Sequence, residues 1–140
     1  MVDVNLLAVV VATLSSFVVG AVWYSKPFFG KAWMKKVGLS ERQAQEGMSK
    51  AIGKTTIASL IMAYVLANAI VFSDNYFAEY DFMTAALTTG LSLGIGISAT
   101  TIVTQDAFEQ RDLKLSFINA GNQIVTLVVM GLVIGLFGPA

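Results

Sequence analysis

Four polar side chains recur within about two helical turns of an otherwise apolar stretch: Asn119, Asn122, Gln123 and Thr126. At about 100° per residue they fall within roughly 100° of one another, on a single helix face. Amides and a hydroxyl carry donors and acceptors but no charge, so their chemistry is hydrogen bonding. Two uses follow: holding a neighbouring helix, or lining a hydrated niche for a small neutral or weakly polar solute. A bare amide in hydrocarbon is costly, so the stripe is expected to turn inward, toward Asn68, the hydroxyls of the third apolar segment, or a second copy of the chain. Such bonds in membranes are worth only about 0.6 to 2 kcal/mol each. Structural glue is therefore the plainer expectation, and a solute path the alternative.

Much other chemistry is excluded. The sequence has no Cys and no His, hence no thiolate, disulfide or imidazole. Its nine acidic residues are Asp3, Glu41, Glu46, Asp74, Glu79, Asp81, Asp106, Glu109 and Asp112, all outside the apolar segments or at their edges. A proton-coupled carrier needs a titratable group along its path, which argues against that class and separates the chain from the small multidrug exporters with their membrane-embedded Glu. No phosphate-cradling glycine loop, metal-ligand cluster or nucleophile-base pair is present, and Gly94 and Gly96 sit in an apolar helix that follows no strand. The chain reads as a non-enzyme, with no catalytic residue, cofactor, metal or nucleic-acid partner expected.

The elements that hold these groups are four apolar segments. Of 140 residues, 56% are hydrophobic and 13% charged, with a mean hydropathy of +0.71; soluble domains average about 25% charged. At about 20 residues per span, the length suits one domain of four spans, at about 4–24, 54–73, 83–104 and 115–137. A cleaved signal peptide is disfavoured for the first, since MVDVN lacks a base and the apolar run ends in Trp-Tyr rather than a small-residue cleavage site. The expected fold is an all-α integral membrane protein, four transmembrane helices in a compact bundle.

The stretch from Gly20 to Lys36 fixes the topology. Trp23 and Tyr24 suit a headgroup layer, and Lys26, Lys31, Lys35 and Lys36 follow. With Phe29 and Trp33, these residues form an expected contact surface for anionic lipid, carried by a short interfacial helix between the first two spans. Ser40 and Gln43 make a capping box for a further short helix over Glu41 to Glu46, which Gly47 is expected to break. Phe72, Tyr76, Phe77, Tyr80 and Phe82 mark the opposite interface. Of nine bases, Lys26, Lys31, Lys35, Lys36, Arg42, Lys50 and Lys54 lie in or beside the first loop, and Arg111 and Lys114 in the third. The positive-inside rule then predicts both termini outside and loops one and three cytoplasmic, in a bacterial inner membrane. Asp106, Glu109, Arg111, Asp112 and Lys114 read as an ion-paired hairpin in which Glu109 faces the first-loop lysines.

Helices in lipid associate through close backbone approach and interhelical hydrogen bonds. Small residues four apart offer the first: Ala8, Ala12, Ser16 and Gly20; Ser59, Ala63 and Ala67; Ala86, Gly90, Gly94 and Ser98; Gly131 and Gly135. The third span, rich in Thr and Ser, is not expected to face lipid all round.

Gly20-Ala21, Trp23-Tyr24-Ser25, Phe29-Gly30-Lys31 and Trp33-Met34 resemble the hallmark of a bacterial membrane family known as domain of unknown function 1761. Phe108-Glu109 with Arg111, then Phe117-Ile118-Asn119-Ala120-Gly121 and Met130-Gly131, resemble that family's fourth-helix region. The resemblance implies a four-helix membrane protein and supplies no activity. Three functions stay open: a self-associating structural or accessory bundle, which leads; a homo-oligomeric channel or transporter for a small neutral solute; and an adaptor for anionic lipid or a protein partner.

Overall fold

The computed structural model describes residues 3–140. Its helices are α1 (Leu6–Trp23), α2 (Gly30–Val37), α3 (Glu41–Tyr76), α4 (Phe82–Leu93), a π-helical stretch Gly94–Ala99, α5 (Thr100–Phe108) and α6 (Leu113–Phe137), with no strand among the described residues. Taking Phe82–Phe108 as one rod, four helices are long and apolar enough to cross a membrane, one on each expected span. The expected short helix between the first two is α2, closed by Gly38 in the left-handed conformation at φ 77°.

Local sequence starts each long helix. Asn5 Oδ1 accepts from the Ala8 amide at 3.1 Å, Asp81 from Thr84 at 3.0 Å, and Asp112 from Lys114 at 2.8 Å. Ser40 and Gln43 form the capping box as expected. The expected break at Gly47 does not occur: α3 runs unbroken for 36 residues. A glycine inside a helix costs about 1 kcal/mol relative to alanine, and Ala44, Gln45, Met48, Lys50 and Ala51 around it all favour helix. At about 1.5 Å per residue α3 is about 54 Å long, against about 30 Å of bilayer hydrocarbon. Its first turns therefore project past the other helices, and from Glu41 to Ala58 all but Ala44 are exposed.

Helix α6 packs against α1, α4, the π-helical stretch and α5, while α3 packs against α1 and α4. The core joins Ala8, Val9 and Ala12 of α1, Ala63, Leu66, Ala67 and Ile70 of α3, Ala86 of α4, and Leu127, Met130 and Ile134 of α6. All lie toward the end that carries the chain termini. There the glycine stripes do as expected between α4 and α6: a Cβ on Gly90 would stand 2.6 Å from the Leu127 carbonyl oxygen, and one on Gly131 2.6 Å from that of Ala86. Gly94 backs onto Ile124 and Gly135 onto Met83. Gly20 corrects the pattern, because nothing lies within 4 Å of its would-be Cβ. It faces open space where α1 and α3 part.

The π-helical stretch has a positional effect. In a regular helix the rotation from Gly94 to Asp106 leaves Asp106 about 120° off the α6-facing side, and wider π turns remove roughly one residue's worth. Asp106 is accordingly buried and accepts a hydrogen bond from Ser116 Oγ of α6 at 2.8 Å. The third rod's outward side is more exposed than its polarity suggested, with Thr88, Ser92, Thr100 and Thr101 all open. Most of these hydroxyls bond back onto their own helix, Thr88 to the Thr84 carbonyl and Thr101 to that of Ile97, both at 2.7 Å. A hydroxyl satisfied this way can face lipid at little cost.

Candidate functional site: a polar cleft between α1, α3 and α6

Away from the core, α1 and α3 diverge and leave a cleft of about 630 Å³ against α6. Ser16, Gly20 and Ala21 line it from α1, Ile52, Thr55 and Ser59 from α3, and Asn122, Gln123 and Thr126 from α6. The small-residue stripes of α1 and α3 thus have two fates. Ala8, Ala12, Ala63 and Ala67, at the end that carries the chain termini, are buried in contact. Ser16, Gly20 and Ser59, toward loop one, line the cleft.

Aromatics close its loop-one end. Trp23 Nε1 donates to the Ile118 carbonyl at 3.0 Å, and Tyr24 Oη donates to Asn119 Oδ1 at 2.9 Å. The Trp23 ring lies over Gly121 and 4.6 Å from the ring of Phe29. Tyr24 and Met48 also line a second hollow of about 550 Å³, walled by Trp33, Met34, Leu39 and Ala51, so these two side chains separate the hollow from the cleft.

The amide stripe is brought together with one exception and one surprise. Asn68, the expected partner, donates instead to the Tyr64 carbonyl of its own helix at 2.8 Å and lines no part of the cleft. A side chain that satisfies itself locally has no need of α6. Asn119 finds Tyr24, a pairing that spacing along the sequence does not reveal. Asn122 is only 8% exposed, lines the cleft, and its Oδ1 has no hydrogen-bond partner. Thr126 is 5% exposed beside it. Apart from the Tyr24 phenol, no lining residue titrates, so the cleft offers hydrogen bonds and apolar contact rather than proton transfer. Its volume falls in the range of about 300–1,000 Å³ typical of small-molecule sites.

The loop-one bases are arranged differently from expectation in one respect. Glu109 pairs with Arg111 at 2.6 Å, and it is Asp112 that meets the first-loop segment, through Lys36 at 2.7 Å. Gln110, at φ 56°, turns the chain between them and leaves Asp112 at the head of α6, next to α2. The Lys36 ammonium, with the Lys114 amide, holds the Asp112 carboxyl below its ordinary pKa. Lys26 pairs with Glu41 at 2.8 Å and lowers that carboxyl likewise. Lys31 and Lys35 are exposed and form no ion pair among the described residues.

The family described as "Protein of unknown function (DUF1761)" matches residues 7–135. The chain belongs to the DUF1761 family. No curated protein and no solved structure matches it. In this DUF1761 chain the matched region takes in nearly all of the four long helices and every wall of the cleft. Two of the resembling segments, Gly20 to Met34 and Phe117 to Gly121, meet: Trp23 with Ile118 and Gly121, Tyr24 with Asn119.

Proposed function

We propose that this chain is a non-enzymatic membrane-spanning bundle that binds a small hydrogen-bonding molecule in the α1–α3–α6 cleft. Asn122 carries the reading. Its amide lines the cleft together with Gln123 and Thr126, so an occupant with complementary hydrogen-bonding groups meets uncharged polar side chains among otherwise largely apolar walls. Conduction through a single chain is disfavoured, because the apolar core from Ala8 to Ile134 fills the other end and leaves the cleft one-sided. The amide stripe finds cover within one chain, so this reading does not depend on self-association.

The test is thermal unfolding of the protein in phosphatidylcholine nanodiscs with a panel of neutral donor-bearing probes: glycerol, urea and a monoacylglycerol. At least one probe is expected to raise the melting temperature of the native chain and to lose that effect in Asn122→Leu and in Ser59→Phe, which fills the cleft from α3. If no probe on the panel shifts the native chain, the binding reading falls.

The same proposal places both termini outside and loops one and three in the cytoplasm of an inner membrane, supported by the bases gathered around α2 and at the α5–α6 turn. Lys36 with Asp112 ties these two loops together at one end. A reporter fused after Ala140 is expected to be active only on the outer side; cytoplasmic activity would overturn the orientation.

A further inference from the structure

We infer that the outward face of α2 docks on anionic phospholipid: the Lys31 and Lys35 ammoniums take the phosphodiester of a lipid headgroup, and Phe28 rests at the hydrocarbon boundary beneath them. The inference stands apart from the cleft and rests only on the membrane-spanning part of the reading above. Free charge, facing and depth each bear on it.

Of the four lysines between Trp23 and Gly38, two are already spent. Lys26 is bound to Glu41 at 2.8 Å and Lys36 to Asp112 at 2.7 Å, so each of these ammoniums already has a carboxylate. Lys31 and Lys35 are exposed and form no ion pair among the described residues. Glu41 feels Lys31 as well, but its oxygen is held by Lys26.

The two free ammoniums share a side. At about 100° per residue Lys31 and Lys35 stand about 40° apart on α2, with Trp33 about 160° from each. Trp33 is turned onto Tyr24, ring centroids 5.3 Å apart. The aromatic side of α2 is thus used within the protein, and its lysine side faces away from the bundle. Phe28, three residues before Lys31, is 60% exposed, and its amide donates to the Ser25 carbonyl at 3.1 Å, which keeps it in the turn that follows α1.

Depth brings that side to the headgroups. The Gly30 amide donates to the Ser25 carbonyl at 3.0 Å and ties the start of α2 to the end of α1, while Lys36 ties its far end to Asp112, the N-cap of α6. Asp112 lies about 13 Å further out along α6 than Gly121, which the Trp23 ring covers, at about 1.5 Å per residue. Indoles favour the headgroup boundary. Helix α2 therefore climbs through the headgroup layer, roughly 5–7 Å deep on each side of a bilayer, and meets phosphates with the side turned from the bundle. Lys50 and Lys54 are also unpaired among the described residues, but both lie on the hydrocarbon side of Met48, which shares the level of Tyr24. Their ammoniums reach a phosphate only by snorkelling back.

The test uses nanodiscs with equal parts of phosphatidylglycerol and phosphatidylcholine of the same chain length. Native mass spectrometry of the released protein is expected to show phosphatidylglycerol retained preferentially. Lys31→Gln with Lys35→Gln, both at exposed positions, is expected to lower that preference about thirtyfold, at about fivefold per charge. Lys50→Gln with Lys54→Gln removes the same charge and is expected to lower it by at most about fivefold. Acylation by a water-soluble reagent locates the contact: Lys31 and Lys35 are expected to react more slowly in phosphatidylglycerol discs than in phosphatidylcholine discs, and inorganic phosphate added to the latter is expected not to protect them. Equal losses from the two double variants would overturn the inference in favour of net charge alone. Equal labelling of Lys31 and Lys35 in the two lipids would overturn it too, and protection by inorganic phosphate would reassign the pair to a soluble anion. A chain that stays in solution without discs or detergent would end the membrane reading itself.

Discussion

Gly131→Leu is expected to cost more than about 4 kcal/mol, enough to prevent assembly, because overpacking that cannot be relieved sits in the extreme tail of point-mutant effects. The first atom of the new side chain would stand 2.6 Å from the Ala86 carbonyl oxygen, which is backbone and cannot swing aside. The crossing is reciprocal, since Gly90 meets the Leu127 carbonyl at the same 2.6 Å. Relieving one contact by pushing α4 away from α6 opens the other and strips Leu127 and Met130 of their cover. Gly96→Leu is the matched control: nothing lies within 4 Å of its would-be Cβ. Its stability is expected to change by less than about 1 kcal/mol, in the range of the helix propensity difference alone. Unfolding by graded denaturing detergent, followed by circular dichroism, measures both. Equal loss in the two variants would show that glycine matters here for flexibility rather than for close approach.

That contrast also shows where sequence reasoning runs out. Four-residue spacing identifies a helix face, and it marks Gly20 and Gly131 alike; only the neighbouring helix decides that one is pressed against backbone and the other borders a void. The ends of the helices were legible because capping is local chemistry, as at Ser40 with Gln43. The continuity of α3 through Gly47 was not, because a cost of about 1 kcal/mol sets a weak stop against a favourable run on either side. For the site, the clustering of Asn119, Asn122, Gln123 and Thr126 on one face was readable from the helical period. Their partners were not. Asn68 looked like the obvious complement, yet it bonds to Tyr64 one turn back, and Asn119 takes the phenol of Tyr24 from the far end of the sequence. Asp106 was visible only as an edge residue. Its burial against Ser116 follows from the change in helical phase at Gly94–Ala99, which no pattern of apolar spacing signals.

Trp23→Ala is expected to destabilise the protein by about 3–5 kcal/mol, the range for emptying a large aromatic from a packed site. Three contacts vanish together: the 3.0 Å hydrogen bond to the Ile118 carbonyl, the layer over Gly121, and the Phe29 ring at 4.6 Å. Phe29 in turn donates its amide to the Trp23 carbonyl at 3.0 Å, and Gly30 donates to Ser25, so the turn into α2 is built on the same spot. Trp23→Phe separates the terms. It keeps a ring over Gly121 and removes only the N–H, so the loss is expected to fall to about 1 kcal/mol, the net value of one hydrogen bond, plus a smaller packing term. Losing the indole should also let the α1 end drift from α6 and weaken the Tyr24–Asn119 bond that closes the cleft. The loop-one hollow and the cleft would then merge past Tyr24 and Met48. Both effects are read in one experiment: denaturing-detergent unfolding for stability, and reaction of a cysteine at Thr126, introduced into this naturally cysteine-free chain, with a polar maleimide. The reaction is expected to be slow in the otherwise native protein and in Trp23→Phe, and fast in Trp23→Ala. Equal rates in all three would mean that the indole anchors the helix end without guarding the cleft.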